Sequence, residues 1–136
     1  MKVMLDERAL MPTRAHEDDA GYDIRTPYAF NIYPGESAVI DTGVHIQIPK
    51  GYVGFLKSKS GLNVKNDLTG EGVIDSGYTG SITAKLYNHG TEYHHFNAQD
   101  KIIQLVILPI FTERLELVDS FEETERGDNG FGSTGR

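Results

Sequence analysis

Asp75 occupies a position from which a carboxylate can do chemistry. The run Gly72-Val73-Ile74-Asp75-Ser76-Gly77-Tyr78-Thr79-Gly80 reads as strand, tight turn, strand, and sets Asp75 where the strand meets the turn, beside Tyr78. A carboxylate so placed can orient and deprotonate a water; the ordinary alternative is an Asx-turn acid that only hydrogen-bonds its own loop. Ser58-Lys59-Ser60-Gly61-Leu62 offers a cation and two hydroxyls ahead of a short helix. That composition suits a phosphate, or Ser60 is a plain N-cap. Asp18-Asp19-Ala20-Gly21-Tyr22-Asp23-Ile24 places carboxylates before a strand. Asp23 there helps hold a metal through water or belongs to a surface turn. Gln104 interrupts an apolar run, and a buried amide needs partners or a site to face.

The C-terminal Gly130-Phe131-Gly132-Ser133-Thr134-Gly135 has the letters of a dinucleotide fingerprint, but not the strand, helix and later acid which that reading requires. Its physical content stands apart from that motif. Glycines expose backbone N–H groups, Ser133 and Thr134 add hydroxyls, and Arg126 and Arg136 add charge, so the segment can wrap a phosphate. Phe131 can stack on a base. The alternative is a glycine-rich tail without structure. His16, His45, His89, His94 and His95 show no metal-ligand spacing, and adjacent His94 and His95 would face opposite sides of a strand. They are read as structural.

The elements that must position these groups are strands. Val44, Ile46 and Ile48 alternate with polar neighbours, Val53 and Phe55 alternate around Gly54, and Ile82, Ala84 and Leu86 do the same. Ile102 to Leu108 is nearly continuous and β-branched, which predicts a central strand buried on both faces. Turn chemistry fills the gaps, at Tyr33-Pro34-Gly35, Asp41-Thr42-Gly43 and Pro49-Lys50-Gly51. The pattern predicts an all-β sandwich, jelly roll or barrel with one short helix following Ser60, through Asn63-Val64-Lys65-Asn66. The polar, acidic segment 119–128 and the glycine-rich tail form no core element, and mobility is expected there.

Composition bounds the function. A chain of 136 residues has room for one core. It has no cysteine, which excludes thiolate nucleophiles, disulfides and Cys-ligated metals. A net charge of −7 without a Lys/Arg cluster disfavours nucleic-acid polymers. A small anionic substrate held by local cations and a metal remains compatible with that charge. No apolar run approaches a membrane span, and the N-terminus lacks a leader pattern, so a cytoplasmic location is expected.

Taken in order, five segments resemble the five motifs of the trimeric deoxyuridine triphosphatases (dUTPases): Ala20 to Ile24, Ser58 to Leu62, Gly72 to Gly80, Asp100 to Leu105, and Arg126 to Gly135. The resemblance implies a distorted jelly roll of the β-clip type, with a catalytic domain over residues 1–120 and an arm over 121–136 that closes over substrate. It implies a homotrimer with shared active sites, a dUTP diphosphatase activity giving dUMP and pyrophosphate, and Mg²⁺ as cofactor. Hydrolysis of this kind keeps uracil out of DNA and supplies dUMP for dTMP synthesis. By the same resemblance Asp75 activates the water that attacks the α-phosphorus, and Tyr78 packs under the deoxyribose. Gly70, Gly72, Val73 and Ile74 read the uracil. Lys59, Ser60 and Gly61 contact phosphates. Asp23 and Gln104 support the metal and phosphate through water, and Arg126, Phe131, Gly132, Ser133 and Thr134 close the site.

Lys59 stands where the family usually has Arg, which keeps the charge but loses the bidentate fork. The third motif often reads D-x-D-Y, against Asp75-Ser76-Gly77-Tyr78 here. Two alternatives accompany the resemblance. A dCTP deaminase shares the fold, but Lys85 stands where that family carries its catalytic Glu. A phage-type, dUTPase-like regulator would grip a protein partner; such variants often carry an extra insert, and none stands between Pro109 and Arg126.

Overall fold

The computed structural model describes residues 1–130; Phe131, Gly132, Ser133 and Thr134, expected above to close the site, lie outside them. Among the described residues the chain folds as β1 (Lys2–Leu5), β2 (Gly21–Arg25), β3 (Phe30–Ile32), β4 (Ser37–Asp41), β5 (Val44–Gln47), β6 (Tyr52–Lys57), α1 (Ser60–Asn66), β7 (Leu68–Thr69), β8 (Glu71–Asp75), β9 (Thr83–Asn88), β10 (His94–Phe96) and β11 (Lys101–Pro109). Every pairing is antiparallel. The largest sheet runs β2-β11-β6-β8; the others run β4-β9-β7, β1-β5 and β10-β3. This is the expected all-β jelly roll with one short helix. No helix among the described residues is long and apolar enough to cross a membrane.

The core is aliphatic. Ile24, Ile40, Val44, Ile82, Ala84, Ile102, Ile103 and Leu105 are wholly buried, and Phe30 stacks on Phe96 at 4.8 Å between ring centroids. Strand alternation accounts for most of it, as in β9, where Ala84, Leu86 and Asn88 point inward. Buried Thr42 and Asn88 are satisfied by backbone carbonyls. Thr42 Oγ1 donates to Ile82 O at 2.6 Å, and Asn88 Nδ2 donates to Glu92 O at 2.8 Å.

Three details differ from the alternation read in sequence. In β6 the buried residues are Val53, Gly54 and Leu56, and Phe55 is only half-buried. Leu56 and Leu105 are cross-strand partners, so the core follows their face and not that of Phe55. In β11, which lies between β2 and β6, a register shift between Lys101 and Ile103 turns two successive isoleucines inward. Burial then falls away towards Leu108, so only the first half of the strand is enclosed. At the start of α1 the capping position is Lys59 and Ser60 is already helical, with no side-chain cap bond. Beyond Pro109, residues 110–130 carry no helix or strand.

The continuous apolar run supplies the central strand, so its inward residues should dominate stability. Ile103→Ala is expected to cost about 2–5 kcal/mol and to lower the melting temperature by roughly 10 °C, readable by calorimetry.

Candidate active site

Two groups of functional side chains emerge, at different places on the main sheet. The first is built on a single register row. Asp23 on β2 lies opposite Gln104 on β11, Gln104 opposite Lys57 on β6, and Lys57 opposite Glu71 on β8. Directly opposite residues share a face of the sheet, so the row is a polar stripe, and Lys57 Nζ binds Glu71 Oε1 at 2.9 Å. Just beyond β6, Lys59 turns back and its ammonium pairs with Asp23 Oδ1. Lys101, at the start of β11, binds Asp23 Oδ2 at 2.7 Å.

Asp23 is 7% exposed. Burial pushes its pKa up, but the hydrogen bonds and charges of Lys101 and Lys59 outweigh burial and hold the carboxyl below the usual carboxylate value. It is therefore an ionised acid whose charge is balanced by two cations. Gln104 Nε2 donates to Ser58 O at 3.0 Å. Its carboxamide lies over Gly21, where a Cβ would collide with Gln104 Oε1. The first, second and fourth segments named above therefore meet in one place. Lys101 belongs to this cluster and was not among the expected site residues. The signal for it was available, since it precedes Gln104 by three positions in the fourth segment.

The second group is the hairpin end. Asp75 closes β8, and Tyr78 N donates to Asp75 O at 3.0 Å, making the expected tight turn. Among the described residues no hydrogen bond reaches the Asp75 carboxylate, so it does not serve as an Asx-turn acid. Tyr78 Oη donates to Ser81 O at 2.8 Å, and the ring lies over Gly80, where a Cβ would strike it. β8 is an edge of the four-stranded sheet, and an edge strand presents unpaired N–H and C=O groups on its outer side. Gly72, Val73 and Ile74 all lie on it. Gly70, just before β8, is already engaged: its N–H donates to Ser58 Oγ at 2.9 Å and its carbonyl accepts from the same hydroxyl.

The two groups are apart within one chain. Asp75 is four residues along β8 from Glu71, and Glu71 is three strand spacings from Asp23. At strand dimensions of ~3.3 Å per residue and ~4.8 Å per strand, Asp75 and Asp23 are on the order of 20 Å apart. Arg126, whose Nε donates to Asn129 O at 3.0 Å, lies in the segment beyond the last strand and joins neither group.

Among the described residues no set of three or more His, Asp, Glu or Cys side chains converges to cage a metal. Magnesium does not require one. It commonly keeps several waters and binds through one or two carboxylates plus substrate phosphates. One ionised carboxylate with an amide beside it, as at Asp23 and Gln104, fits such an ion at the outer shell only.

A family model described as dUTPase matches residues 7–135. The chain is 39% identical to the deoxyuridine 5'-triphosphate nucleotidohydrolase of Escherichia phage T5, covering 99% of this chain and 98% of the relative. It is 40% identical to the one from Clostridium novyi, covering 99% of each. Its fold is similar to that of a dUTPase variant from Staphylococcus bacteriophage 80alpha with dUpNHpp. There the TM-score is 0.93 and the identity 36%, over 99% of this chain and 98% of that one. A phage phi11 dUTPase variant, whose structure concerns the coordination of a structural Mg(II) ion, superposes with a TM-score of 0.83 at 37% identity, over 90% and 98% of the two chains.

Asp23 carries a negative charge between two ammonium groups, so Asp23→Asn should destabilise the protein at neutral pH by about 1–3 kcal/mol. A depressed carboxyl pKa stabilises above its unfolded value of about 3.9 and ceases to do so as pH falls through the folded value. The melting temperatures of wild type and Asp23→Asn should therefore differ at pH ~7 and draw together as pH falls below about 3.9.

Proposed function

Because the chain belongs to the dUTPase family, we propose that it hydrolyses dUTP to dUMP and pyrophosphate, with Asp75 as the base. The observation that carries this reading is the family match over residues 7–135, a range that contains all five segments. Asp75, uncommitted to its loop, takes a proton from the attacking water as the water's oxygen bonds to the α-phosphorus and pyrophosphate leaves. The Tyr78 ring packs beneath the deoxyribose and leaves no room for a 2′-hydroxyl. The outer backbone edge of β8, with Gly72, Val73 and Ile74, pairs with the uracil edge. Backbone recognition discriminates against cytosine because a mispaired buried polar group costs about 1–3 kcal/mol.

Lys59, Ser60 and Gly61 hold the phosphates, and Lys101 keeps Asp23 ionised and aligned while Lys59 turns to substrate. Gly70 supports this geometry through Ser58, to which both of its backbone groups are bonded, and its carbonyl keeps a second lone pair for the uracil. Asp23 and Gln104 would support, through water, a magnesium ion that arrives with the triphosphate; when bound, such an ion would neutralise phosphate charge and polarise the α-phosphoryl group.

The separation of the two groups supports a shared site. The three phosphorus atoms of a triphosphate are joined by only two bridging oxygens, far short of the distance between Asp75 and Asp23. One nucleotide therefore takes its hairpin from one chain and its Lys59–Asp23–Gln104 cluster from another, as a homotrimer provides. The segment beyond β11 supports the same assembly: Phe111 is 87%, Leu115 102%, Leu117 99% and Phe121 90% exposed. Apolar side chains at such spacing require cover, and a neighbouring subunit supplies it. The arm, carrying Arg126 and the residues after it, then closes over a site to which its own chain does not contribute the hairpin. A cytoplasmic location is the reading that its bacterial relatives support.

Asp75→Asn is expected to lower kcat by about 10²–10⁴-fold while leaving the affinity for a non-hydrolysable dUTP analogue within a few-fold; a variant with wild-type kcat removes Asp75 from the mechanism. Pyrophosphate release across the common deoxynucleoside triphosphates should be confined to dUTP. Refolding Asp75→Asn together with a truncation before Arg126, each inactive alone, should restore activity in mixed trimers. Mixed trimers verified by mass spectrometry that remain inactive would refute the sharing of sites.

A further inference from the structure

We propose that His45, as an imidazolium, is a positioning residue that latches the loop carrying Tyr78 to β5 and to Asp6, so that the grip on the nucleotide depends on the charge of His45. This rests on the role given above to Tyr78.

Strand alternation begins the case. Val44 and Ile46 are buried, so His45 between them faces outward from the core, yet its side chain is only 16% exposed because two segments cover it. From one side, the loop between β8 and β9 brings Thr79 O to 2.8 Å from Nδ1. From the other, the segment after β1 brings Asp6 Oδ2 to 3.2 Å from Nε2, with Asp6 itself fixed by its N–H to Gly43 O at 2.9 Å. Both partners are acceptors only. A neutral imidazole carries one N–H, so it satisfies one partner and turns a lone pair on the other; the protonated ring donates to both.

Thr79 is a sensitive place to hold this loop. On its N-terminal side the loop is closed by the Asp75–Tyr78 turn. On its C-terminal side it is pinned by Ile82 N to Val44 O at 2.8 Å and by Gly43 N to Ser81 Oγ at 3.0 Å. Between those anchors, at the residue next to Tyr78, the tie is His45. A latch there sets the height of the Tyr78 backbone, while Tyr78 Oη on Ser81 O sets the tilt of the ring.

The surroundings favour the charged form. The Thr79 carbonyl and then the Asp6 carboxylate raise the pKa of His45 above its ordinary 6.5, with Asp41 on β4 adding to the pull and burial opposing it. Lys2 on β1 is the cation on this side; it lines, with Met4, His45 and Thr79, an open recess of about 430 Å³. The raised value fixes the direction. The latch is fully present below about pH 6.5 and is released as pH rises through the folded pKa.

The test compares wild type with His45→Gln, which keeps an N–H donor but does not titrate. Affinity for a non-hydrolysable dUTP analogue is measured by calorimetry at pH 6 and pH 9. Ionisation of the analogue and of every other group is common to both proteins and cancels in the ratio. Wild type should bind about 5–10-fold more tightly than His45→Gln at pH 6 and equally at pH 9, a coupling of ordinary size. An equal ratio at both pH values overturns the proposal, because a merely structural role acts at both. The second measurement needs no nucleotide: in wild-type NMR spectra the amide signals of Tyr78 and Thr79 should titrate with the His45 ring, and their failure to do so also overturns it. Shared titration in a protein that neither binds the analogue nor hydrolyses dUTP would count against the proposed function and leave the latch standing.

Discussion

The pairing of β2 with β11 in the register that puts Asp23 opposite Gln104 is the constraint on which the rest depends. It brings together groups from distant parts of the chain without using a loop to do so. A slip of β2 by one residue would turn Asp23 into the aliphatic core and expose Ile24 in its place. The register is therefore enforced by burial. The bulge that turns Ile102 and Ile103 inward together also fixes where Lys101 emerges, and Lys101 in turn completes the charge around Asp23. Core packing and site electrostatics are set by the same few residues of β11.

The main sheet works as a ruler as well as a scaffold. Its polar row lies at one end of β8 and its hairpin turn at the other, and strand geometry keeps them apart whatever the loops do. Rigid strands locate side chains more narrowly than loops can, so a site shared between two subunits, as proposed above, would be held by stiff elements on both sides.

Much of this was legible in the residues. The alternation at Val44, Ile46, Ala84 and Leu86 gave their strands directly, because burial on one face writes itself into the sequence with period two. Asp75 at a strand end followed from the turn chemistry of Ser76-Gly77. The ordered segments led to the family, and the family match agrees. What was not legible depends on partners remote in sequence. Phe55 alternates as well as Leu56 does, and only the opposing Leu105 decides between them. Lys101 reads as an ordinary strand-start lysine until Asp23 is seen beside it. His45 reads as the polar half of an alternation, and nothing near it in the chain announces Thr79 or Asp6. Ser60 has the residue type of an N-cap, but the helix begins one position earlier, with Lys59 at the cap and its ammonium on Asp23.

Gly21 adopts a backbone conformation open to any residue, so no local rule forbids a side chain there. The obstacle is the Gln104 carboxamide, which occupies the volume that a Cβ would take. Whatever tolerance position 21 has is thus written at position 104. A change at either is judged by the occupant of the other, although 83 positions of chain separate them.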